Sequence, residues 1–319
     1  MEFKTSITEG HPAIDRLRVI CLDHGARSAV LWQEGAVRYR GPEATRRFNA
    51  WSCTKSFTSV CCGLLVDEGK LEIDVPATEW LPELRGGYPG VTLRHLLTFT
   101  SGLNLDPEDP WALRAPNFAP GRCFHYSQES EWLGLAITRA AGESMASLFQ
   151  RKVGDAIGML PGTWDWGRHP EAKDGLCVNG GSGGLGIGVH LNADALLRFG
   201  RWMLQGGKWE GRQLVSRGWL DEAQRPQSMG RVEPWDPEGW YRDWLPGTYG
   251  LHWWCNGIMR NGRRLWPSAP PETFAAQGNL NQICLVVPAW DTVLVRMGDD
   301  GIIDMERYDE VLAAIAPPS

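Results

Sequence analysis

Ser52 and Lys55 stand three residues apart where a helical pattern begins. Residues at i and i+3 share a helix face, so the Lys55 amine projects alongside the Ser52 hydroxyl. A serine hydroxyl is a weak nucleophile at neutral pH and needs a base within hydrogen-bond reach. Lysine can be that base when burial lowers its pKa, because desolvation disfavours the ammonium form. The field at a helix N-terminus favours negative charge growing on the serine oxygen. These features point to acyl transfer. The same spacing also arises on solvated helices, where the serine caps and the lysine stays in water. Residues further along the chain must therefore decide the matter.

The elements that position the pair follow from periodicity and turn residues. Apolar Ile14, Leu17 and Ile20/Cys21 at helical spacing predict a first helix within 11–24. Ser28–Gln33 and Ala36–Arg40, joined by Glu34-Gly35, read as a hairpin. The helix that begins near Ser52 runs through Leu64-Leu65 and stops at Gly69. Helices are then expected over Thr92–Phe99, Gln128–Ala141 and Ser144–Ile157, between loops rich in Pro and Gly. After the glycine cluster Gly180–Gly188, Asn192 or Asp194 caps a helix toward Leu204. Strands are expected at Tyr249–Cys255, Arg263–Trp266, Thr273–Ala276, Gln282–Val287 and Thr292–Met297, and a last helix over Asp304–Ile315. Strands joined by short turns are antiparallel. The expected fold is α+β: an antiparallel sheet flanked by helices, built from 1–74 and 180–319, with a mostly helical insertion at 75–179 and the site at their interface.

Composition sets limits on function. The chain has 319 residues, 43% hydrophobic and 22% charged, with a net charge of -6. That is an ordinary globular balance, and the acidic excess argues against nucleic-acid or anionic-membrane partners. No run approaches the roughly 18 apolar residues that span a bilayer. Met1-Glu2-Phe3-Lys4-Thr5-Ser6 lacks the apolar core of a signal peptide, so a cytoplasmic protein is expected. The eight cysteines show no zinc-ligand spacing and read mostly as small buried residues. The seventeen tryptophans read as filling for core and interfaces. Gly181-Ser182-Gly183-Gly184-Leu185-Gly186 fits a dinucleotide-binding glycine pattern, but it lacks the parallel βαβ setting and is taken as a cleft wall. No cofactor and no metal are expected.

Downstream landmarks carry a resemblance. Pro120-Gly121, then Tyr126-Ser127-Gln128 and a helix containing Leu133-Gly134, resembles the second motif of the class C β-lactamase, DD-peptidase and esterase superfamily. Leu96-Leu97-Thr98-Phe99-Thr100-Ser101-Gly102-Leu103, Gly158-Met159 with Thr163, and Gly250-Leu251-His252-Trp253-Trp254 are similar to further family segments in the same order. Phe274–Gln282 sits where the third motif is expected. The resemblance implies that Ser52 is the acylated nucleophile, Lys55 the base or proton shuttle, and Tyr126 the group that passes a proton to the leaving group. It implies an oxyanion hole from the backbone N–H groups of Ser52 and Asn279, and substrate contacts from Gln128, Gln277 and Gly278.

The departures from the family pattern are informative. Gln128 replaces an asparagine, Phe99 a histidine and Asn281 a glycine. Ala276-Gln277-Gly278 stands where penicillin-recognising members carry a cation that pairs with a carboxylate, and alanine cannot make that bond. Arg260, Arg263 and Arg264 read as hairpin charges, and His125 and His252 as structural histidines near the cleft. The expected activity is hydrolysis of an ester or small amide, a small-molecule substrate. A β-lactamase or DD-peptidase, and an inactive binding module of the same fold, are the alternatives.

Overall fold

A computed structural model describes residues 10–21, 24–169, 174–227, 233–236, 238–239, 241–245, 247–301 and 305–317. Its centre is a six-stranded antiparallel sheet in the order Trp254–Cys255, Phe274–Gly278, Gln282–Val287, Thr292–Arg296, Ala29–Gln33, Ala36–Arg40. Ala29–Gln33 from the start of the chain pairs with Thr292–Arg296 from its end, Val30 opposite Val295. Strand alternation gives the sheet two buried faces. Val30, Val286, Val293 and Val295 join one core cluster with Phe57 and Phe199. Leu31, Ile283, Leu285 and Leu294 join a second with Leu17, Tyr308 and Leu312. The second cluster is covered by the first and last helices, Pro12–Ile20 and Tyr308–Ile315, which pack together.

The helix Thr54–Asp67 runs through the first core, and every residue from Cys53 to Leu65 is buried. Around it lie the helices Leu93–Leu97, Ser130–Ala141, Met145–Phe149 and Ala193–Leu204. A smaller sheet of Arg47–Asn49, Val189–Asn192 and Trp164–Trp166 ties the segment before Ser52 to the strand after the glycine cluster. Trp132, Trp202, Trp253 and Trp266 are fully enclosed, as filling residues should be. Six of the eight cysteines are buried, and all eight are free thiols. Among the described residues, no helix is long and apolar enough to cross a membrane.

Several local expectations are corrected. Arg263–Trp266 is not a strand, and its one bridge joins Ile258 to Arg264. Trp266 N–H instead donates to the Asn256 side chain at 2.7 Å, a side-chain bond that takes the place of a ladder. Tyr249–Cys255 is a strand only at Trp254–Cys255, because the chain doubles back through His252 at φ 61° and Gly250 N–H donates to Trp253 O. The helix expected over Ser144–Ile157 contains a π-helical turn at Gln150–Gly154. Positions 22–23 of the expected first helix and Asp304 of the last lie outside the described residues.

Candidate active site

The chain enters the site from the strand Arg47–Asn49 through a 3-10 turn, Trp51–Cys53, that leads into the helix Thr54–Asp67. Trp51 holds a positive φ of 47°, a costly conformation for a bulky residue, and its N–H is tied to Asn49 Oδ1 at 2.8 Å. Ser52 is partly exposed at the mouth of this turn, whereas Lys55 is only 3% exposed.

Lys55 Nζ lies 3.0 Å from Ser52 Oγ and donates to the Ser182 carbonyl at 2.9 Å. The same nitrogen stands 4.7 Å from the Tyr126 ring centroid and 5.9 Å from that of Phe99. Burial strips water from the ammonium and pulls Lys55 down to about 7, although the Glu131 charge and Cys53 oppose the change. Tyr126 also hydrogen-bonds Ser52; burial pushes its phenol upward, and the bond to Ser52 offsets this only in part. Lys55 therefore gives up its proton near neutrality while Tyr126 keeps its own. The Tyr126 ring packs against Phe99, at 4.6 Å between centroids, and against Tyr249 and Trp254.

The facing wall is the end of the strand Phe274–Gly278. A Cβ at Gly278 would collide with the Ala50 carbonyl and stand 3.0 Å from Ser52 N, so only glycine lets these backbones meet. The turn that follows carries Leu280 and Asn281 at φ 55° and 58°. Arg296 Nη1 pins it by donating to Leu280 O at 2.9 Å, and the Arg296 guanidinium is paired in the interior with Asp300. Gln282 Oε1 accepts from Gly298 N at 2.9 Å. Asn279 sits in this turn, exposed, directly after Gly278.

A cavity of about 800 Å³ opens beside Tyr126. Asp106, Glu108, His125, Gln128 and Ile187 line part of it, and no lysine or arginine does so among the described residues. Ser52, Lys55 and Tyr126 are thus brought together, with Gly278 against them, and Gln128 is exposed along the cavity. Gln277 differs: it is buried, its amide donates to Gly278 O at 2.9 Å, and it does not line the cavity. Arg260 pairs with Glu233, Arg264 donates to Asn256 O, and neither they nor Arg263 reach the cavity. His252 is buried with Nε2 3.2 Å from Ser130 Oγ. Burial, then the nearby Lys55 charge, push it to about 3.

Four participants were not legible as site residues. Phe99 supplies the apolar surface next to Lys55 and Tyr126. Ser182 supplies a carbonyl from within the glycine cluster. Glu131 and His169 form a buried pair at 2.7 Å beside Ser182. The available signal was Glu131 itself, a carboxylate opening the otherwise apolar run Trp132-Leu133-Gly134-Leu135.

The Beta-lactamase family matches this chain over residues 25–301. A 6-aminohexanoate-dimer hydrolase of Paenarthrobacter ureafaciens is 27% identical over 244 residues, covering 67% of this chain and 61% of that protein. Esterase EstB of Burkholderia gladioli is 33% identical over 144 residues, 35% of this chain and 37% of the esterase. The matched part is thus under two thirds of either relative's length. The crystal structure of a putative β-lactamase from Bacteroides dorei superposes with a TM-score of 0.73 at 19% identity, covering 96% of this chain and 97% of that one.

Proposed function

Because this chain belongs to the Beta-lactamase family, we propose that it is a serine hydrolase that cleaves an ester or small amide through an acyl-enzyme on Ser52. The observation that carries this reading is the shared contact of Lys55 and Tyr126 with the Ser52 hydroxyl. Neutral Lys55 takes the proton as Ser52 Oγ attacks the substrate carbonyl. The backbone N–H groups of Ser52 and Asn279 receive the oxyanion, each such donor contributing about 3 kcal/mol in related chemistry. The acyl–oxygen or acyl–nitrogen bond then breaks, Tyr126 hands its phenol proton to the departing alcohol or amine, and Lys55 passes the proton it took from Ser52 on to Tyr126, so both groups return to their starting states. Water repeats the sequence on the Ser52 ester, releasing the acid.

The cavity beside Tyr126 carries Asp106 and Glu108 and, among the described residues, no lysine or arginine, which favours substrates whose part bound in that cavity bears no carboxylate. The buried Ala276 and the committed Arg296 support the same preference over β-lactams and peptide C-termini. Incubation with p-nitrophenyl esters of short acids tests the proposal. A burst of p-nitrophenol that disappears in Ser52→Ala is the expected result. Nitrocefin turnover with no ester turnover would move the activity to the β-lactamase branch, and no acylation by esters or fluorophosphonates would leave a binding module.

A further inference from the structure

We propose that Glu131 is the positioning residue of this site, fixing the Gly181–Ser182 peptide so that the Ser182 carbonyl holds the Lys55 amine against Ser52. The inference rests on the serine-hydrolase reading and adds to it a residue outside the Ser52–Lys55–Tyr126 set.

The carboxylate is 1% exposed at the start of the helix Ser130–Ala141. Its Oε2 accepts from His169 Nε2 at 2.7 Å and from Gly181 N at 2.8 Å. Its Oε1 accepts from Ser182 N at 3.0 Å and from Ser182 Oγ. An ionised carboxylate offers about four acceptor positions, and all four are taken. Glu131 therefore has no lone pair left for a substrate or a water proton. Two of its four bonds hold the backbone N–H groups of Gly181 and Ser182, and the other two go to the His169 ring and the Ser182 hydroxyl.

What it holds is the peptide whose carbonyl accepts from Lys55 Nζ. The peptide has little freedom otherwise. A Cβ on Gly181 would strike the Ser130 carbonyl, and one on Gly183, at φ 83°, would strike that of Trp51. Helix start, glycine segment and nucleophile turn are stacked in van der Waals contact, and Glu131 fastens the middle layer. A misplacement of one ångström at such a contact is costly in rate.

The charge matters as well as the reach. Burial alone would raise the Glu131 carboxyl, but the His169 hydrogen bond and charge, with Ser182 and the Gly181 N–H, hold it below the ordinary glutamate value. It is thus an anion across one residue from Lys55, and it favours the ammonium form. The other groups facing Lys55 are Cys53 on its own turn, the Tyr126 phenol, and His252 from the segment ahead of Trp254. Of these, burial keeps the Cys53 thiol and the Tyr126 phenol protonated and His252 neutral. Glu131 is the anion in the set.

The test compares Glu131→Gln and Glu131→Asp with the wild-type protein in p-nitrophenyl ester turnover and in the NMR titration of 15N-labelled lysine side chains. The chain has six lysines, so Lys55→Met assigns the signal. Glu131→Gln should lower kcat by about tenfold or more with little change in KM, and move the Lys55 midpoint down by about one pH unit. Glu131→Asp, which keeps the charge but not the reach, should lower kcat and leave the midpoint in place. Wild-type kcat in Glu131→Asp together with an unmoved or raised midpoint in Glu131→Gln would overturn the proposal. If Glu131→Gln does not fold, the aspartate variant decides by kcat alone. If the wild-type protein acylates nothing, the hydrolase reading fails, and the Lys55 titration still decides whether Glu131 sets its environment.

Discussion

Lys55 Nζ sits 4.7 Å from the centroid of the Tyr126 ring, so the amine approaches the phenol through its π face. Both side chains then converge on Ser52 from different directions. A cation on that face is favoured by the ring quadrupole, while burial penalises it. Burial prevails in this pocket, and the amine is poised near neutrality.

The first prediction concerns pH. Lys55 acts as a base only when neutral, so kcat/KM should rise with pH through about 7 and level off above it. Burial raises Tyr126, so no basic limb from its ionisation should appear within the ordinary tyrosine range. A pH–rate profile on a neutral ester checks both limbs.

Tyr126→Phe keeps the ring packing against Phe99 and Trp254 but removes the hydroxyl at Ser52. Acylation should slow by about a hundredfold or more. Stopped-flow burst kinetics with esters of rising leaving-group pKa should show the loss growing as the alcohol becomes more basic. A loss that ignores leaving-group pKa would contradict the proton-donor role.

Gly278→Ala places a methyl group against the Ala50 carbonyl and Ser52 N. The strand must withdraw, taking the Asn279 N–H with it. A fall in kcat of about a hundredfold is expected, the scale of losing one oxyanion donor. Steady-state kinetics, with a thermal melt to confirm folding, measure it.

Phe99→Ala opens a path for water to Lys55, whose lowered pKa comes first from burial. The lysine midpoint should climb toward its ordinary value by about one unit, carrying the acid limb of activity to higher pH. The change is opposite in sign to that expected for Glu131→Gln. Two variants therefore push one titration in two directions.

Asp300→Ala leaves the fully enclosed Arg296 guanidinium without its anion and removes the acceptor of His24 N. Removing one partner of a buried pair costs about 3–5 kcal/mol. Chemical denaturation should show that loss. Activity should fall too, since Arg296 also secures the Leu280 carbonyl in the turn beside Ser52.

The sequence made some of this architecture legible and hid the rest for physical reasons. Ser52 and Lys55 share one helical turn, and Gly278 marks a place where side chains are forbidden, so local rules reach them. Strands such as Gln282–Val287 announce themselves by β-branched runs. The Arg263–Trp266 error came from a competitor that periodicity does not register, the Asn256 side chain serving as a backbone substitute. Glu131 and His169 are 38 residues apart, and their meeting is decided by how the glycine segment folds across the helix start. No spacing rule connects them. The place of Gln277 in a motif does not foretell that its amide donates to Gly278 O, a bond decided by its position on the strand.

The pairing of Ala29–Gln33 with Thr292–Arg296 has a consequence for biogenesis. While the protein is being translated, the serine helix emerges long before the strands that complete the sheet beneath it. Until the C-terminal hairpins leave the ribosome, Ser52 has neither its facing wall nor the enclosure that neutralises Lys55. Before Thr292–Arg296 is available to pair with Ala29–Gln33, the sheet that sets Gly278 against Ser52 is incomplete.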